Sequence, residues 1–295
     1  MSVREGKLST NELKECFQYL KIKNEDIIKS SLIGEDCALI DIGKKILITT
    51  DPITTEVENI GMYLMYVSTN DIFAAGGIPK FGLITMIFPT TFSFDEVKEI
   101  FRNVGERASE LGVDIVGGHT EFSDAVVRPV LSATILGELI SEYNLKNIKS
   151  GDLIYVTKDL GIEGNKILSY KKGIQSKYED DLLSVAKEGK ILQKYSEVVA
   201  MHDVTEGGIK GALEEMLYTL NLGAKIDFKK LPFDETTVEL VEEYKMDLKT
   251  LISSGSMVVI LNQPSQAIEN ELKNNNIKFT CIGKVVENNK VVFEI

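Results

Sequence analysis

Four short acidic segments hold the side chains best suited to metal or phosphate chemistry. They read GEDCA at 34–38, TTDP at 49–52, STND at 68–71 and HDVTEGG at 202–208. A carboxylate that lies at the end of a strand or in a loop, flanked by Gly or Thr, is a suitable hard oxygen ligand for Mg²⁺. Several such loops that converge can hold magnesium ions that carry nucleotide phosphates. For each aspartate taken singly, the alternative is a turn or helix-cap residue.

Two of these aspartates have surroundings that favour a site. Asp71 lies within an apolar helical pattern, where an aspartate is poorly suited unless it faces a site or has a partner. Asp203 is followed by Gly207 and Gly208 and then by a long amphipathic segment. The N-terminus of a helix after two glycines can bind an anion, because its backbone N–H groups can approach the ligand closely. A plain N-cap with a flexible entry is the alternative.

A fifth segment, GGHTE at 117–121, follows a short predicted strand and combines paired glycines with a hydroxyl and a carboxylate. Such a sequence suits a loop that lies against phosphate and metal. His119 and His202 are the two histidines of the chain, and both fall inside glycine- and acid-rich segments. A histidine in such a place can act as an acid, a base or a phosphate donor.

Lys158 and Cys37 are weaker candidates. Lys158 follows a predicted strand and precedes a glycine-flanked turn that holds Glu163, so it could meet a substrate anion, although a solvated lysine is the commoner arrangement. Cys37 adjoins Asp36 but has no histidine near it in sequence. A small buried filler is therefore the simpler interpretation of this cysteine.

The composition limits the classes of protein that this chain can be. Its 295 residues are 43% hydrophobic and 26% charged, as in a globular protein of one large or two medium domains. Acidic residues number 45 against 33 basic ones, and the formal net charge of -12 argues against sequence-independent binding of nucleic acid. No apolar stretch approaches the ~20 residues of a membrane-spanning helix, and a signal-peptide core is absent. Three scattered cysteines argue against a disulfide framework, so we expect a cytoplasmic protein.

Alternating strands and helices must position these segments. In the first half we predict helices at 10–20, 56–75 and 93–111, and strands within 38–50 and at 81–88, 114–116 and 126–136. In the second half we predict strands at 153–157, 224–228, 257–261 and 279–286, and helices at 165–170, 179–187, 208–221, 237–244 and 265–274. The polar segment 143–151 separates the halves, which predicts two domains, 1–145 and 146–295, of the α/β (α+β) class. GxGxxG, Walker A and HExxH motifs are absent, which argues against a doubly wound dinucleotide fold.

The order of the five segments, with GGIP at 76–79, resembles that of the PurM-like superfamily of aminoimidazole ribonucleotide synthetase. Thiamine-monophosphate kinase, selenophosphate synthetase and the hydrogenase maturation factor HypE are other members. The resemblance covers almost the whole chain. It implies an N-terminal α/β domain whose strands form a barrel across a homodimer, followed by a C-terminal α+β sandwich domain. ATP would lie in the groove between the domains, near the dimer partner.

The resemblance also implies roles for individual residues, carried over by position. The carboxylates that hold magnesium and phosphate would be Asp36, Asp51, Asp71 and Asp203. The residues that contact the nucleotide would be Gly117, Gly118, Thr120, Asn70, Gly207 and Gly208. Two residues are candidates for catalysis, Glu121 as a base or metal ligand and His202 as a contact of the transferring phosphate.

Among the members, the chain resembles HypE most, particularly in HDVTEGG at 202–208. HypE carries a C-terminal cysteine that receives a carbamoyl group, whereas this sequence ends in VVFEI and its last cysteine, Cys281, lies in a predicted strand. We expect an enzyme that uses ATP and Mg²⁺ to activate or phosphorylate a carbonyl-type oxygen of a small or protein-borne acceptor, linked to hydrogenase maturation. Two alternatives stay open: a non-catalytic nucleotide-binding partner or sensor derived from HypE, and a phosphotransferase similar to thiamine-monophosphate kinase.

Overall fold

Two mixed β-sheets, one in each half of the chain, form the framework of the protein. The structure is a computed structural model that describes residues 27–29, 37–55, 57 and 59–294. The helix predicted at 10–20 and the candidate ligand Asp36 lie outside these residues. Among the described helices, none is long and apolar enough to cross a membrane.

The first sheet has six strands in the described part of the chain. In chain order they are β1 (Ile27–Lys29), β2 (Ala38–Asp41), β3 (Lys45–Ile53), β4 (Gly77–Pro89), β5 (Asp114–Ser123) and β6 (Val130–Leu139). Their order across the sheet is β1-β2-β3-β6-β4-β5, and β5 forms one edge, where it runs parallel to β4. The remaining neighbours in this sheet are antiparallel.

Two helices cover one face of this sheet, α1 (Ile60–Ala74) and α2 (Phe94–Leu111). Every residue of α1 is buried, as expected for a helix that is apolar nearly all round. A capping box starts α2, in which the Ser93 backbone N–H donates to Glu96 Oε2 at 2.7 Å and the Glu96 N–H donates to Ser93 Oγ at 3.3 Å. Gly112, in the left-handed conformation with φ of +73°, ends α2 at the predicted position.

The opposite face of the first sheet is open. Along β4, the side chains of Ile84, Met86 and Phe88 are buried beneath the helices, whereas Phe81 and Leu83 on the other face are 48% and 44% exposed. Because side chains alternate between the faces of a strand, both faces of β4 are apolar but only one is covered. The open face is therefore an apolar surface that nothing among the described residues covers.

The second sheet also has six strands within the described residues. They are β7 (Leu153–Thr157), β8 (Val198–Asp203), β9 (Gly223–Asp227), β10 (Met257–Leu261), β11 (Phe279–Val286) and β12 (Val291–Glu294), in the sheet order β12-β9-β11-β7-β10-β8. The helices of this half are α3 (Ile162–Lys172), α4 (Ala186–Leu192), α5 (Gly208–Tyr218), α6 (Glu235–Glu243) and α7 (Gln266–Asn274). One face of the sheet packs on α5, and the other contributes Met201 and Val259 to the core that surrounds α1. The two halves thus share a hydrophobic core.

A buried side chain also joins the halves. Asn70 on α1 donates from Nδ2 to the Leu183 carbonyl oxygen at 2.8 Å and accepts a hydrogen bond at Oδ1 from the Val185 backbone N–H at 2.9 Å. Asn70 has no exposed surface. A buried amide that is bonded on both sides holds the two partners in a fixed relation.

The predicted mixed α/β class, with one sheet in each half of the chain, is confirmed. Two local predictions are wrong. Residues 117–121 are part of the long strand β5 and do not form a loop, and residues 179–187 form a 3₁₀ turn (Asp180–Leu183) followed by the start of α4 instead of one helix. Strands β1, β8 and β12 were not predicted. The domain boundary near residue 145 stays a prediction.

Candidate functional site

A cleft of about 400 Å³ between the two halves brings several predicted site residues together. It is lined by Asp51 from β3, Asp71 from α1, and His202 and Asp203 from the end of β8. Three of the four aspartates that the sequence singled out as magnesium ligands therefore face one space. The fourth, Asp36, lies outside the described residues.

In the first half, strand β3 carries Asp51 and the adjoining helix α1 carries Asp71. Asp51 and Thr49 are two residues apart on β3 and so point to the same face of the sheet, toward α1. Asp71 lies in the last turn of α1, is 8% exposed, and accepts a hydrogen bond from the Thr49 hydroxyl. The aspartate that interrupts the apolar pattern of α1 thus has a polar partner and faces the cleft, as its burial requires.

The second half positions His202 and Asp203 where β8 pairs with β10. His202 is 6% exposed, and its Nδ1 lies 2.7 Å from the Asp203 backbone oxygen. A carbonyl oxygen can only accept a hydrogen bond, so Nδ1 carries a proton. Nε2 lies 3.8 Å from Glu215 Oε2, which also lines the cleft. His202 is therefore held in one orientation at the wall of the cleft.

The carboxylates share the cleft without forming a ready-made metal cage. Among the described residues, no group of three or more His, Cys, Asp or Glu side chains is arranged to hold a metal ion. Mg²⁺ is commonly bound by one or two carboxylates together with waters and substrate phosphates, and not by an all-protein site. The hard oxygen donors of Asp51, Asp71 and Asp203 therefore fit a magnesium ion that arrives with a nucleotide.

The GGHTE segment lies apart from this cleft. It belongs to the exposed edge strand β5 and contributes none of its residues to the cleft lining, neither Gly117, Gly118 and Thr120 nor Glu121. Gly118 has φ of +152°, and a Cβ atom there would lie 1.9 Å from the Ile84 carbonyl oxygen of β4. Strand pairing therefore requires this glycine. Its proposed contact with phosphate stays a prediction, as does the catalytic role of Glu121, which lies 3.3 Å from His119 Nε2.

Three further nucleotide candidates have structural contacts, and their nucleotide contacts stay predictions. Asn70 is bonded to the backbone of the second half and does not line the cleft. Gly207, with φ of +89°, precedes the first residue of α5, and a Cβ atom on Gly208 would lie 2.7 Å from the Leu251 carbonyl oxygen. The neighbouring Thr205 and Glu206 line the cleft in place of the two glycines.

The cleft has further lining residues that sequence reasoning did not assign, among them Tyr63, Glu163 and Ser254. Glu163 is the second residue of α3 and is 5% exposed. Burial raises the pKa of the Glu163 carboxyl, while hydrogen bonds from the side chain and backbone of Ser254 lower it and the nearby charge of Glu206 raises it. The glycine-flanked sequence GIEG at 161–164 was the available signal for Glu163, and Ser254 had none.

Lys158 does not meet the cleft. Its ammonium donates to the carbonyl oxygens of Leu182 at 2.9 Å and Ser184 at 2.7 Å, and lies 2.8 Å from Glu188 Oε1. Three partners use the three donors of a lysine. Lys158 is therefore a structural residue that ties β7 to residues 182–188. Cys37 is 1% exposed, in agreement with a buried filler.

The chain is similar in sequence to proteins of two named kinds. The chain is 27% identical over 240 residues, which are 78% of this chain and 72% of the relative, to a putative hydrogenase expression/formation protein of Methanocaldococcus jannaschii. It is 28% identical over 251 residues to the selenide, water dikinase of Caldanaerobacter subterraneus, with 80% of this chain and 71% of that protein covered.

Solved structures share the fold over nearly the whole chain. A crystal structure of a HypE–HypF complex matches with a TM-score of 0.79 at 23% identity, covering 96% of this chain and 95% of the matched one. HypE in complex with ATP matches with a TM-score of 0.74 at 19% identity, over 98% and 92% of the two chains. AaThiL complexed with AMPPCP and TMP matches with a TM-score of 0.73 at 21% identity, over 97% and 93%.

Family models describe both halves. The model described as AIR synthase related protein, N-terminal domain, matches residues 34–139, and the corresponding C-terminal domain matches residues 149–295. Residues from both matched ranges line the cleft: Asp51 and Asp71 belong to the first, and His202 and Asp203 to the second. The chain therefore belongs to the AIR synthase related family, with its PurM-like domains.

Proposed function

We propose that the protein binds ATP with Mg²⁺ in the cleft between its halves and uses it to activate or phosphorylate a carbonyl-type oxygen of an acceptor. The observation that carries this proposal is the convergence of Asp51, Asp71 and Asp203 from both halves on one cleft. Its lining includes no lysine or arginine among the described residues, so phosphates need a cation in order to bind there.

The three aspartates would hold the magnesium ion. When bound, Mg²⁺ neutralises the phosphate charge and polarises the group that is transferred. His202 then has a defined task, because its Nδ1 proton is committed to the Asp203 carbonyl and its ring is fixed at the wall of the cleft. With Nδ1 committed in this way, His202 would contact a phosphate through Nε2, which donates a hydrogen bond to a phosphate oxygen when it carries a proton.

The relatives support this choice of chemistry. A HypE structure and AaThiL hold ATP and AMPPCP, respectively, on the same fold. The name of the relative from M. jannaschii connects that protein with hydrogenase expression or formation. We infer by analogy an acceptor from hydrogenase maturation, small or carried on a protein partner.

We also propose that a second copy of the chain covers the open face of the first sheet. Phe81 and Leu83 on β4 leave that face apolar, and β5 leaves an edge of the sheet without a neighbouring strand in the described structure. Closing two such sheets into a barrel would cover both features. A homodimer of this kind would also bring the glycines of β5 toward the partner molecule.

Calorimetric titration with ATP, with and without Mg²⁺, tests the proposal. We expect binding near micromolar, about -8 kcal/mol, which is lost without Mg²⁺. Asp51→Asn, Asp71→Asn and Asp203→Asn should each weaken binding at least about tenfold, whereas the exposed control Asp181→Asn should bind as the wild type does. Circular dichroism checks that each variant is folded. Absence of ATP binding in the wild type would refute the assignment, and binding without ADP formation over many acceptors would favour the non-catalytic sensor.

A further inference from the structure

One carboxyl group in the cleft has an oxygen atom that lacks a hydrogen-bond partner among the described residues. Glu163 is 5% exposed and lines the cleft, and the side chain and backbone of Ser254 hydrogen-bond to its carboxyl group. Its Oε2 atom is buried without a hydrogen-bond partner among the described residues. A buried carboxyl oxygen that lacks a partner is costly unless a ligand supplies a donor.

The rest of the lining restricts what that ligand can be. With the three aspartates assigned to magnesium, the remaining acidic side chains of the cleft are Glu163, Glu206 and Glu215, and the described lining has no lysine or arginine. An anionic group placed beside Glu163 would meet carboxylates and no fixed cation. A group that carries hydrogen-bond donors and no negative charge would complete the partners of Glu163 Oε2.

Glu163 is also held firmly enough to select a ligand. It lies in the first turn of α3, where the Gly164 backbone N–H donates to the Ile252 carbonyl oxygen at 3.0 Å and the Gly161 N–H donates to Ser253 Oγ at 2.8 Å. These bonds tie the start of α3 to residues 252–254, which also carry Ser254. A carboxyl group fixed by its own helix and by a neighbouring loop presents its second oxygen in one direction.

We propose that Glu163 is a specificity-determining residue that binds the acceptor through a hydrogen-bond donor, so that the acceptor group facing it is uncharged or cationic and anionic groups are rejected. This assignment rests on the proposed function, since it takes the cleft to hold Mg·ATP and the acceptor side by side. It identifies the charge class of the acceptor.

Acetate, acetamide and acetamidinium provide a matched set of probes. They have nearly the same shape and one methyl group each, but they differ in charge and in N–H donors. Saturation-transfer NMR on their methyl resonances, with protein saturated by Mg·AMPPCP, reports binding without turnover. We expect transfer to acetamide and acetamidinium and none to acetate.

Glu163→Gln keeps the shape and the acceptor oxygen but removes the charge. We expect it to weaken acetamidinium binding about tenfold, because the cation loses its pairing with a carboxylate and keeps only a hydrogen bond to an amide oxygen, and to change acetamide binding less than about threefold. The control Glu239→Gln, on the exposed side of α6, should leave all three probes as in the wild type. Thermal melting of each variant shows whether it is folded.

Other results would overturn the assignment. Transfer to acetate equal to that of acetamide, or unchanged binding of all three probes in Glu163→Gln, would refute it. Loss of Mg·AMPPCP binding in Glu163→Gln alone would place this residue in the metal site and would refute it as well. If the wild type does not bind Mg·AMPPCP, the proposed function fails, and the same titrations of the nucleotide-free protein then decide the role of Glu163 separately.

Discussion

Replacement of Asn70 by alanine tests whether this residue joins the two halves of the protein or contacts the nucleotide. Its side chain makes two hydrogen bonds across the halves, to the Leu183 carbonyl oxygen at 2.8 Å and from the Val185 backbone N–H at 2.9 Å. All three groups are buried in the region where α1 packs against the second half. Alanine would remove both bonds and provide no new partner.

The expected cost follows from the groups that are left unpaired. A buried carbonyl or N–H group without its partner costs about 1–3 kcal/mol, so two of them should cost about 3 kcal/mol in the free energy of unfolding. Asn70→Asp should cost at least as much. It keeps the acceptor for Val185 but places a second carboxylate oxygen against the Leu183 carbonyl oxygen, where a donor is needed.

Urea denaturation of the nucleotide-free protein, followed by circular dichroism, measures this change. Asn274→Ala, at the exposed C-terminal turn of α7, is the matched control and should stay within about 0.5 kcal/mol of the wild type. The structural assignment would be refuted if Asn70→Ala lost less than about 1 kcal/mol and weakened ATP binding. That result would support Asn70 as a nucleotide contact.

Three further predictions concern other parts of the structure. Gly118→Ala should lower the free energy of unfolding by more than about 3 kcal/mol, because its Cβ atom would overlap the Ile84 carbonyl oxygen. The control Gly105→Ala, in open space on α2, should raise it by roughly 0.5–1 kcal/mol. A tolerated Gly118→Ala would contradict the strand pairing. Glu163→Gln should raise the melting temperature at pH 7 but not at pH 4. Folding raises the pKa of the Glu163 carboxyl above its ordinary 4.5, so its ionisation favours the unfolded state only as the pH rises past that value. An equal gain at both pH values would disprove this account. Leu83→Asp should convert the proposed homodimer into a monomer in analytical ultracentrifugation while the far-ultraviolet circular dichroism is preserved. A wild type that sediments as a monomer would contradict the proposed dimer.

Local signals predicted most of the helices and several strands. Ser93 with Glu96 and Gly112 mark the two ends of α2, since capping depends on residues next to each other in the chain. β7 and β10 were predicted with the bounds that the structure has, because each is a short, continuous apolar run. These features need no information from distant residues.

The prediction failed where distant residues decide the outcome. GlyGly at 117–118 indicates a loop by composition, but the pair lies in a strand whose glycine is required by close approach to Ile84 on β4. Strand β8 was missed because its alternation is weak and it ends in the polar pair His202 and Asp203. Such strands are specified by their neighbours in the sheet, which the sequence does not display.

The candidate site was likewise predicted in part, where the sequence motifs alone indicated it. The convergence of Asp51, Asp71 and Asp203 was expected from the order of the motifs, and the cleft brings the three together. Asn70 lies next to Asp71 on α1, but successive residues of a helix point in directions about 100° apart, so only the packed structure shows that one faces the cleft and the other the second half. Glu163 and Ser254 are distant in sequence and meet through tertiary packing alone.

Residues 182–188 are held from both halves, by Asn70 on α1 and by Lys158, which directly follows β7. Two halves tied in this way present a cleft whose width is set before any ligand arrives. Proteins with this arrangement can therefore diverge in ligand binding mainly at the side chains that line the cleft. Exchange of individual lining side chains can change the ligand that the cleft binds while the frame between the halves stays the same, so proteins that bind different ligands can keep almost superimposable backbones.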